Sequence, residues 1–289
     1  MKVPSLSATI AAVIGAGLCI QASAGAQERP RTQTPPGANP ATPYAQPRTP
    51  DGQPDIQGFW SVVPGGSYSI EDLSLQNNGG GNFGTPAPGG TRIVDPPDGK
   101  IPYQPWAAAK HQDILDHHMN PEPYQLDPQS RCWLQGVPRG MYQSESNIIQ
   151  TPGQVLIVHN YSHTYRVVPT VDRPRLPASI HLFMGDPHGR WEGNTLVIET
   201  DNLNDIPWFD LVGSFHSDAI HVTERLTRQN DVTMRYTVTI EDPKMYTRPW
   251  TMGFVMKRKT EADYEQWEHA CYEGERSLGT VLNRTTKKN

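Results

Sequence analysis

The sequence predicts a mostly antiparallel β protein, a closed or nearly closed β-barrel of lipocalin-like type with a few peripheral helices. Residues 220–258 contain three consecutive segments in which apolar and polar residues alternate. The 28 prolines and 25 glycines favour short strands joined by long loops. Strand patterns do not alternate with helix patterns, which argues against a Rossmann or TIM-barrel fold. A β-sandwich is the alternative architecture.

The three segments between residues 220 and 258 define the most regular part of the predicted sheet. Their alternation is typical of antiparallel strands with one buried side and one solvent-facing side. A register shift of one residue would turn every apolar side chain toward water, so the pairing is well specified. The apolar sides comprise Ile220, Val222, Glu224, Leu226, Val232, Met234, Tyr236, Val238, Ile240, Trp250, Met252, Phe254 and Met256.

The N-terminal residues predict export. Residues 1–26 combine Lys2, a short apolar run and the small residues Ala24-Gly25-Ala26, as a cleaved signal peptide does. Residues 27–50 are rich in Pro, Gln, Thr and Ala and predict a disordered linker. Residues 51–289 are then expected to form a single β-rich domain in the periplasm or outside the cell.

Composition limits the classes of partner. The net charge is −5 and no basic block is present, which argues against a nucleic-acid partner. Beyond the signal peptide no apolar run is long enough to cross a membrane, so no membrane span is expected. A small-molecule ligand or substrate is therefore the expected partner.

Two elements are predicted ahead of the main strands. Residues 56–60 form a first strand, in which Gly58 and Trp60 match the Gly-x-Trp at the start of lipocalin barrels. Residues 105–118 form a helix, because proline suits the opening turn and Pro121 follows its end.

A series of strands is predicted from residue 147 onward. Residues 154–159 and 164–168 form a hairpin. Further strands are expected at residues 179–184 and 195–200. Between these two, residues 186–193 are polar and glycine-rich and are interpreted as a connection.

Two cysteines, Cys132 and Cys271, remain after removal of the signal peptide. In an oxidising compartment they predict one disulfide, with two buried free thiols as the alternative. Thr260 and Asp263 resemble a capping box and predict a C-terminal helix that ends at Gly274. The disulfide would hold this helix against the sheet.

The chain resembles a family of exported bacterial proteins in several short motifs. The most specific is the run Gly189-Arg190-Trp191-Glu192-Gly193-Asn194-Thr195-Leu196-Val197. The others are Thr49-Pro50-Asp51-Gly52, Cys132 with Gly136-Val137-Pro138-Arg139, and His221-Val222-Thr223-Glu224-Arg225. The chain departs from the family pattern at Asn194, where Asp is expected, and at Tyr272, where His is expected. The resemblance implies export and carries no catalytic assignment.

Common catalytic motifs are absent from the sequence. It contains no Gly-x-Ser-x-Gly, no His-Glu-x-x-His, no Cys-x-x-Cys and no dinucleotide-binding fingerprint. These absences argue against a serine hydrolase, a zincin and a nicotinamide-dependent enzyme. No cofactor is expected.

Histidines are frequent but lack a metal-binding spacing. Six of the ten lie between residues 147 and 222, without the regular separation that a zinc motif shows. Ordinary hydrogen-bonded histidines are the leading interpretation, and no metal is expected. If a metal is bound, the candidate ligands are His159, His163, His181, His188 and His221.

Glu224 is the most informative candidate site residue, because it is the one charged residue on the apolar face of its strand. Burial raises the pKa of a carboxyl group toward the range useful for general acid–base catalysis. His159 and Tyr236 are the expected partners in proton transfer. The alternative is a structural ion pair between Glu224 and an arginine such as Arg166.

These residues favour an exported enzyme that uses no cofactor and performs acid–base chemistry, as a lyase, hydratase, isomerase or cyclase, on a small, largely apolar molecule. The barrel would hold the substrate in a cavity. Two alternatives stay open: a non-catalytic binding protein for such a molecule, and a metal-assisted hydrolase that uses the histidines. The residues expected to contact the substrate are Met234, Trp250, Met252, Phe254 and Arg166.

Overall fold

The structure is a computed structural model that describes residues 44–62, 65–77 and 90–271. The predicted signal peptide and the linker as far as residue 43 lie outside the described residues. In the part of the chain that is described, no helix is both long and apolar enough to span a membrane.

The described residues contain ten β-strands and two α-helices. In chain order these are β1 (Gly58–Val62), β2 (Ile93–Asp95), α1 (Pro105–His117), α2 (Gly140–Gln143), β3 (Ser146–Thr151), β4 (Gln154–His159), β5 (Tyr165–Pro169), β6 (Asp186–Glu192), β7 (Thr195–Asp201), β8 (His221–Asn230), β9 (Thr233–Glu241) and β10 (Trp250–Arg258).

All ten strands belong to one antiparallel sheet that curves into a nearly closed barrel. The strand order is β5-β4-β3-β1-β10-β9-β8-β7-β6, with β2 paired to β10 beside this path. The predicted antiparallel barrel is therefore confirmed. The three strands expected between residues 220 and 258 are β8, β9 and β10, and they pair in the order in which they follow one another along the chain.

The barrel closes where its end strands, β5 and β6, approach each other. A Cβ atom added to Gly189 of β6 would lie 2.8 Å from Val168 Cγ1 and 3.2 Å from the Pro169 carbonyl oxygen. A residue with a side chain would push these strands apart. Gly189 therefore permits the close approach of the two strands.

The remaining residues of the Gly-Arg-Trp-Glu-Gly run build the β6–β7 hairpin. Trp191 packs against the core, while Arg190 faces outward and binds Glu199 on β7 (2.6 Å). Glu192 accepts a hydrogen bond from Arg225 on β8 (2.8 Å). Gly193 forms the turn with φ +60°, a left-handed value that glycine adopts at little cost. The motif is thus explained by local structure.

The prediction for residues 179–192 was wrong in two respects. Residues 179–184 form no strand, and their backbone is held instead by Asn202, whose side chain donates to the carbonyl oxygens of Pro177 and Ile180 (both 2.8 Å). The segment interpreted as a connection is strand β6. Its inward positions are Pro187, Gly189 and Trp191, so the usual run of alternating aliphatic residues is missing.

Helix α1 follows the prediction closely and packs outside the sheet. Its buried residues are Ala107, His111 and Ile114, which lie on one face of the helix. Ile114 lies against Gly213, where an added Cβ atom would be 2.6 Å from Ile114 Cγ2. The helix therefore covers the loop that follows β7.

The predicted C-terminal helix is not formed over residues 260–271. This segment instead runs along the barrel in an irregular conformation, and its polar groups form hydrogen bonds to barrel residues. Ser162 donates its backbone N–H to the His269 carbonyl oxygen (3.0 Å), and Tyr264 packs against Phe59 and bonds to Glu145. The rest of the predicted helix, up to Gly274, lies outside the described residues.

The predicted disulfide between Cys132 and Cys271 is confirmed, with the two Cα atoms 5.5 Å apart. It fastens residues 260–271 to the segment that precedes α2. The bond spans 139 residues of sequence, so it strongly restricts the unfolded chain.

We expect reduction of this disulfide to lower the free energy of unfolding by about 2–5 kcal/mol, because the unfolded chain regains conformational entropy. Urea unfolding of the oxidised protein and of the Cys132→Ser/Cys271→Ser variant measures the difference. Equal midpoints for the two proteins would show that the bridge contributes little to stability.

Candidate active site in the barrel interior

Glu224 lies inside the barrel with none of its surface exposed, as the alternation of β8 predicts. Its two oxygens are occupied. Arg166 donates from Nη1 to Oε1 (3.0 Å) and from Nη2 to Oε2 (2.7 Å), and the Tyr236 hydroxyl donates to Oε1 (2.7 Å). The carboxylate is therefore charge-compensated and hydrogen-bonded on both oxygens.

The ion pair between Arg166 and Glu224 connects strands near the two ends of the sheet, where the barrel closes. Arg166 is on β5, at one end of the strand path, whereas Glu224 is on β8, close to the other end. Arg166 Nη2 also donates to Thr200 Oγ1 on β7 (3.1 Å). One guanidinium thus links β5 to β7 and β8 through the interior.

Burial and pairing determine the pKa values of Arg166 and Tyr236. Burial alone would lower the pKa of Arg166, but the charge and hydrogen bonds of Glu224 outweigh it and raise this pKa above its usual value. Burial, assisted by the negative charge of Glu224, raises the pKa of Tyr236 well above its usual value. At neutral pH the guanidinium is charged and the phenol keeps its proton.

His159 lies on the inner side of β4 and is almost completely buried. Its Nδ1 is 2.9 Å from Ser146 Oγ. Its Nε2 lies against Gly140, where an added Cβ atom would be 2.8 Å away, and makes no well-aligned hydrogen bond. Burial, with a contribution from the charge of Arg166, lowers the pKa of His159 to about 3. The imidazole is therefore neutral at neutral pH.

The structure brings together only part of the predicted proton-transfer group. Tyr236 contacts Glu224 directly. The hydrogen bond of His159 runs to Ser146 instead, and the alternative partner considered for Glu224, Arg166, is the one that pairs with it. A catalytic role for these residues stays a prediction.

The residues expected to contact a substrate lie in the core. Met234, Trp250 and Met252 are completely buried, whereas Phe254 is partly buried and stacks on Tyr236 with ring centroids 4.7 Å apart. The Tyr236 phenol and the ion pair thus lie beside an aromatic and apolar surface.

Sequence reasoning missed the short helix α2, which covers this part of the interior. Its Tyr142 contacts Phe254 edge to face (5.7 Å) and donates to the Phe209 carbonyl oxygen (2.6 Å). The preceding Arg139 forms a buried two-point ion pair with Asp127 (3.0 and 2.7 Å). A helix of four residues is too short to show a periodic pattern in the sequence. Once the fold is known, the glycine after Arg139 can be explained, because Gly140 lies against the buried His159.

The five histidines named as possible metal ligands do not converge. In the described part of the chain, no group of three or more His, Cys, Asp or Glu side chains is arranged to hold a metal ion. Four of the five contact separate partners: His163 lies 3.0 Å from Glu268, His181 3.1 Å from the Leu203 carbonyl oxygen, His188 3.1 Å from Asp186 and His221 2.6 Å from Asp201.

Two buried nitrogen atoms on neighbouring strands lack a well-aligned hydrogen bond. They are His159 Nε2 on β4, which contacts only the Gly140 backbone, and Arg166 Nε on β5. Both side chains are on the inner face, because Ile157, two residues before His159, pairs with Arg166 in the ladder. Buried polar groups are rarely left unpaired, so these atoms mark the part of the interior best suited to a ligand.

Comparison of the chain with protein families, with curated proteins and with solved structures found no match. The resemblance to exported bacterial proteins stays a prediction.

We expect His159 to make stability depend on pH in the acid range. Below about pH 6.5 the unfolded chain binds a proton at this residue, but the folded protein binds it only near pH 3. The free energy of unfolding should therefore fall as pH falls through this window, with His159 contributing up to about 1.4 kcal/mol per pH unit. His159→Gln should have a shallower slope in urea unfolding between these pH values. The substitution His163→Gln at an exposed position is the control, and an unchanged slope in His159→Gln would contradict the assignment.

Proposed function

We propose that the protein is an exported binding protein for a small, largely apolar molecule, which it holds in the barrel interior beside His159 and Arg166. The observation that carries the proposal is the contrast between two sets of buried polar atoms. Both oxygens of Glu224 have partners, whereas Arg166 Nε has none and His159 Nε2 has only a poorly aligned contact with the Gly140 backbone. A ligand that supplies a partner would remove the cost of leaving these atoms unpaired.

The unpartnered atoms define the polar part of the ligand. Arg166 Nε carries a hydrogen and can only donate, so the ligand must present an acceptor. His159 Nε2 is also a donor when Ser146 donates to Nδ1. A carbonyl or hydroxyl oxygen meets both requirements. Phe254 and Met252 supply the apolar surroundings for the rest of the molecule.

Acid–base catalysis receives less support from this geometry than binding. General acids and bases work best when their pKa lies near the working pH. The pKa of His159 is lowered to about 3 and that of Tyr236 is raised well above its usual value, so neither group titrates near neutrality. Glu224 is held by Arg166 and Tyr236.

A lyase or isomerase is the second candidate, and one contact favours it. The Tyr236 hydroxyl donates to Glu224 Oε1 (2.7 Å) within the apolar interior, so it can relay a proton: as the phenol oxygen takes a proton from a substrate, its own proton passes to the Glu224 carboxylate. In this case the bound molecule is converted, which a pure binding protein does not do.

Native mass spectrometry of the protein isolated from its producing cells tests the proposal. We expect a co-purified small molecule in one-to-one ratio that is released on denaturation. After the molecule is identified and rebound, His159→Phe should weaken binding about tenfold, the effect of losing one buried hydrogen bond. The exposed control His163→Phe should bind as the original protein does.

Time-resolved analysis of the rebound molecule separates the two candidates. An unchanged molecule supports binding, and conversion that is lost in Tyr236→Phe supports the enzyme. Absence of any bound molecule, together with unchanged affinity in His159→Phe for every compound that binds, would contradict both.

A further inference from the structure

A second group of buried and partly buried polar side chains lies where α1 packs onto the loops at residues 208–216 and 242–249. Tyr103, just before α1, is at its centre. The Tyr103 ring centroid lies 5.0 Å from that of His111, 5.9 Å from that of Phe215 and 5.5 Å from that of Tyr246. Three aromatic neighbours thus surround one phenol.

Two carboxyl groups adjoin these rings. Asp210 is completely buried and accepts hydrogen bonds from the backbone of Ile70 (3.0 Å) and from the backbone (2.9 Å) and hydroxyl (2.7 Å) of Ser214. Glu71 accepts the backbone N–H of Ile101 at Oε1 (2.6 Å), and no described residue donates to its Oε2. Burial raises the pKa of both carboxyl groups, although the hydrogen bonds that each accepts act in the opposite direction.

His111 is only 7% exposed, and its Nε2 has no hydrogen-bond partner. It lies on the buried face of α1, stacked against Tyr103 and within electrostatic range of Glu71 and Asp210. The buried Tyr103 hydroxyl is poorly paired, since its contact is with the Ser214 side chain and is not well aligned. An unpaired buried polar atom costs about 1–3 kcal/mol, so His111 Nε2 beside the poorly paired Tyr103 hydroxyl calls for a further partner.

We propose that Glu71, Tyr103 and His111 form a binding site for a primary ammonium group, separate from the site in the barrel. A primary ammonium has three N–H donors, and the site offers three acceptors: Glu71 Oε2, the Tyr103 oxygen and His111 Nε2. Tyr103 and Tyr246 present aromatic surfaces that attract a cation. The ammonium charge also compensates the buried Asp210 and the partly buried Glu71.

Other ligands fit the same atoms less well. An anion would face Glu71 and Asp210, which repel it. A metal ion is disfavoured because no three His, Cys, Asp or Glu side chains in the described ranges are arranged to hold one. One face of Phe215 is already covered by Lys110, whose Nζ lies 4.2 Å from the ring centroid, so the ligand contacts Tyr103 and Tyr246.

The test is calorimetric titration of the full exported protein with benzylammonium, with benzyl alcohol as the neutral compound of the same shape. We expect saturable one-to-one binding of benzylammonium and no comparable binding of the alcohol. Glu71→Gln removes the charge yet keeps an acceptor for Ile101, and His111→Phe keeps the stacked ring but removes the nitrogen. Each should weaken binding at least about tenfold.

Two controls make the result specific. Asp116→Asn changes the same charge on the exposed side of α1 and should leave the affinity unchanged. His159→Phe alters the barrel site and should also leave it unchanged, which separates this site from the proposed binding function. Equal affinity for benzyl alcohol, or no saturable binding, would overturn the proposal even if a site variant failed to fold. Unchanged affinity in both folded site variants would overturn it as well.

Discussion

Arg166 and Glu224 must meet inside the barrel, because neither charge can be left alone in an apolar interior. A single unpaired ion there would cost several kcal/mol. The two residues lie on β5 and β8, near opposite ends of the strand path, and Thr200 on β7 binds the same guanidinium. The requirement to pair therefore also fixes how the end strands come together. Gly189 complements it by allowing β6 to approach β5 without a side chain between them.

The strands that the sequence predicts best are those with aliphatic residues at alternate positions. In β8, β9 and β10 this pattern specifies both the register and the inward direction of Glu224. Strand β6 cannot be predicted from such a pattern, because Pro187 and Gly189 occupy inward positions and its outward residues are polar. The C-terminal segment fails for another reason. It has helix-capping residues, but its backbone bonds to the barrel and the disulfide fixes its end, so tertiary contacts override the local preference.

The candidate sites show a similar limit. The alternation of side chains along the strands places Glu224 and Tyr236 on the same face of neighbouring strands, and the two form a hydrogen bond. The alternation does not show which arginine reaches Glu224, since that depends on how the sheet closes. The group formed by Glu71, Tyr103 and His111 is beyond sequence reasoning, because these residues lie on separate segments without a common period. Unpaired buried nitrogen atoms become visible only when every neighbour is known.

A double-mutant cycle on Arg166 and Glu224 tests the central claim, that their pairing holds the barrel closed, most directly. Arg166→Met and Glu224→Gln should each lower the free energy of unfolding by about 3–5 kcal/mol, because each leaves its partner buried and uncompensated. The double variant should lose less than the sum of the single losses, with a coupling energy of at least about 1–3 kcal/mol in urea unfolding. Additive losses, or a Glu224→Gln variant as stable as the original protein, would contradict the claim.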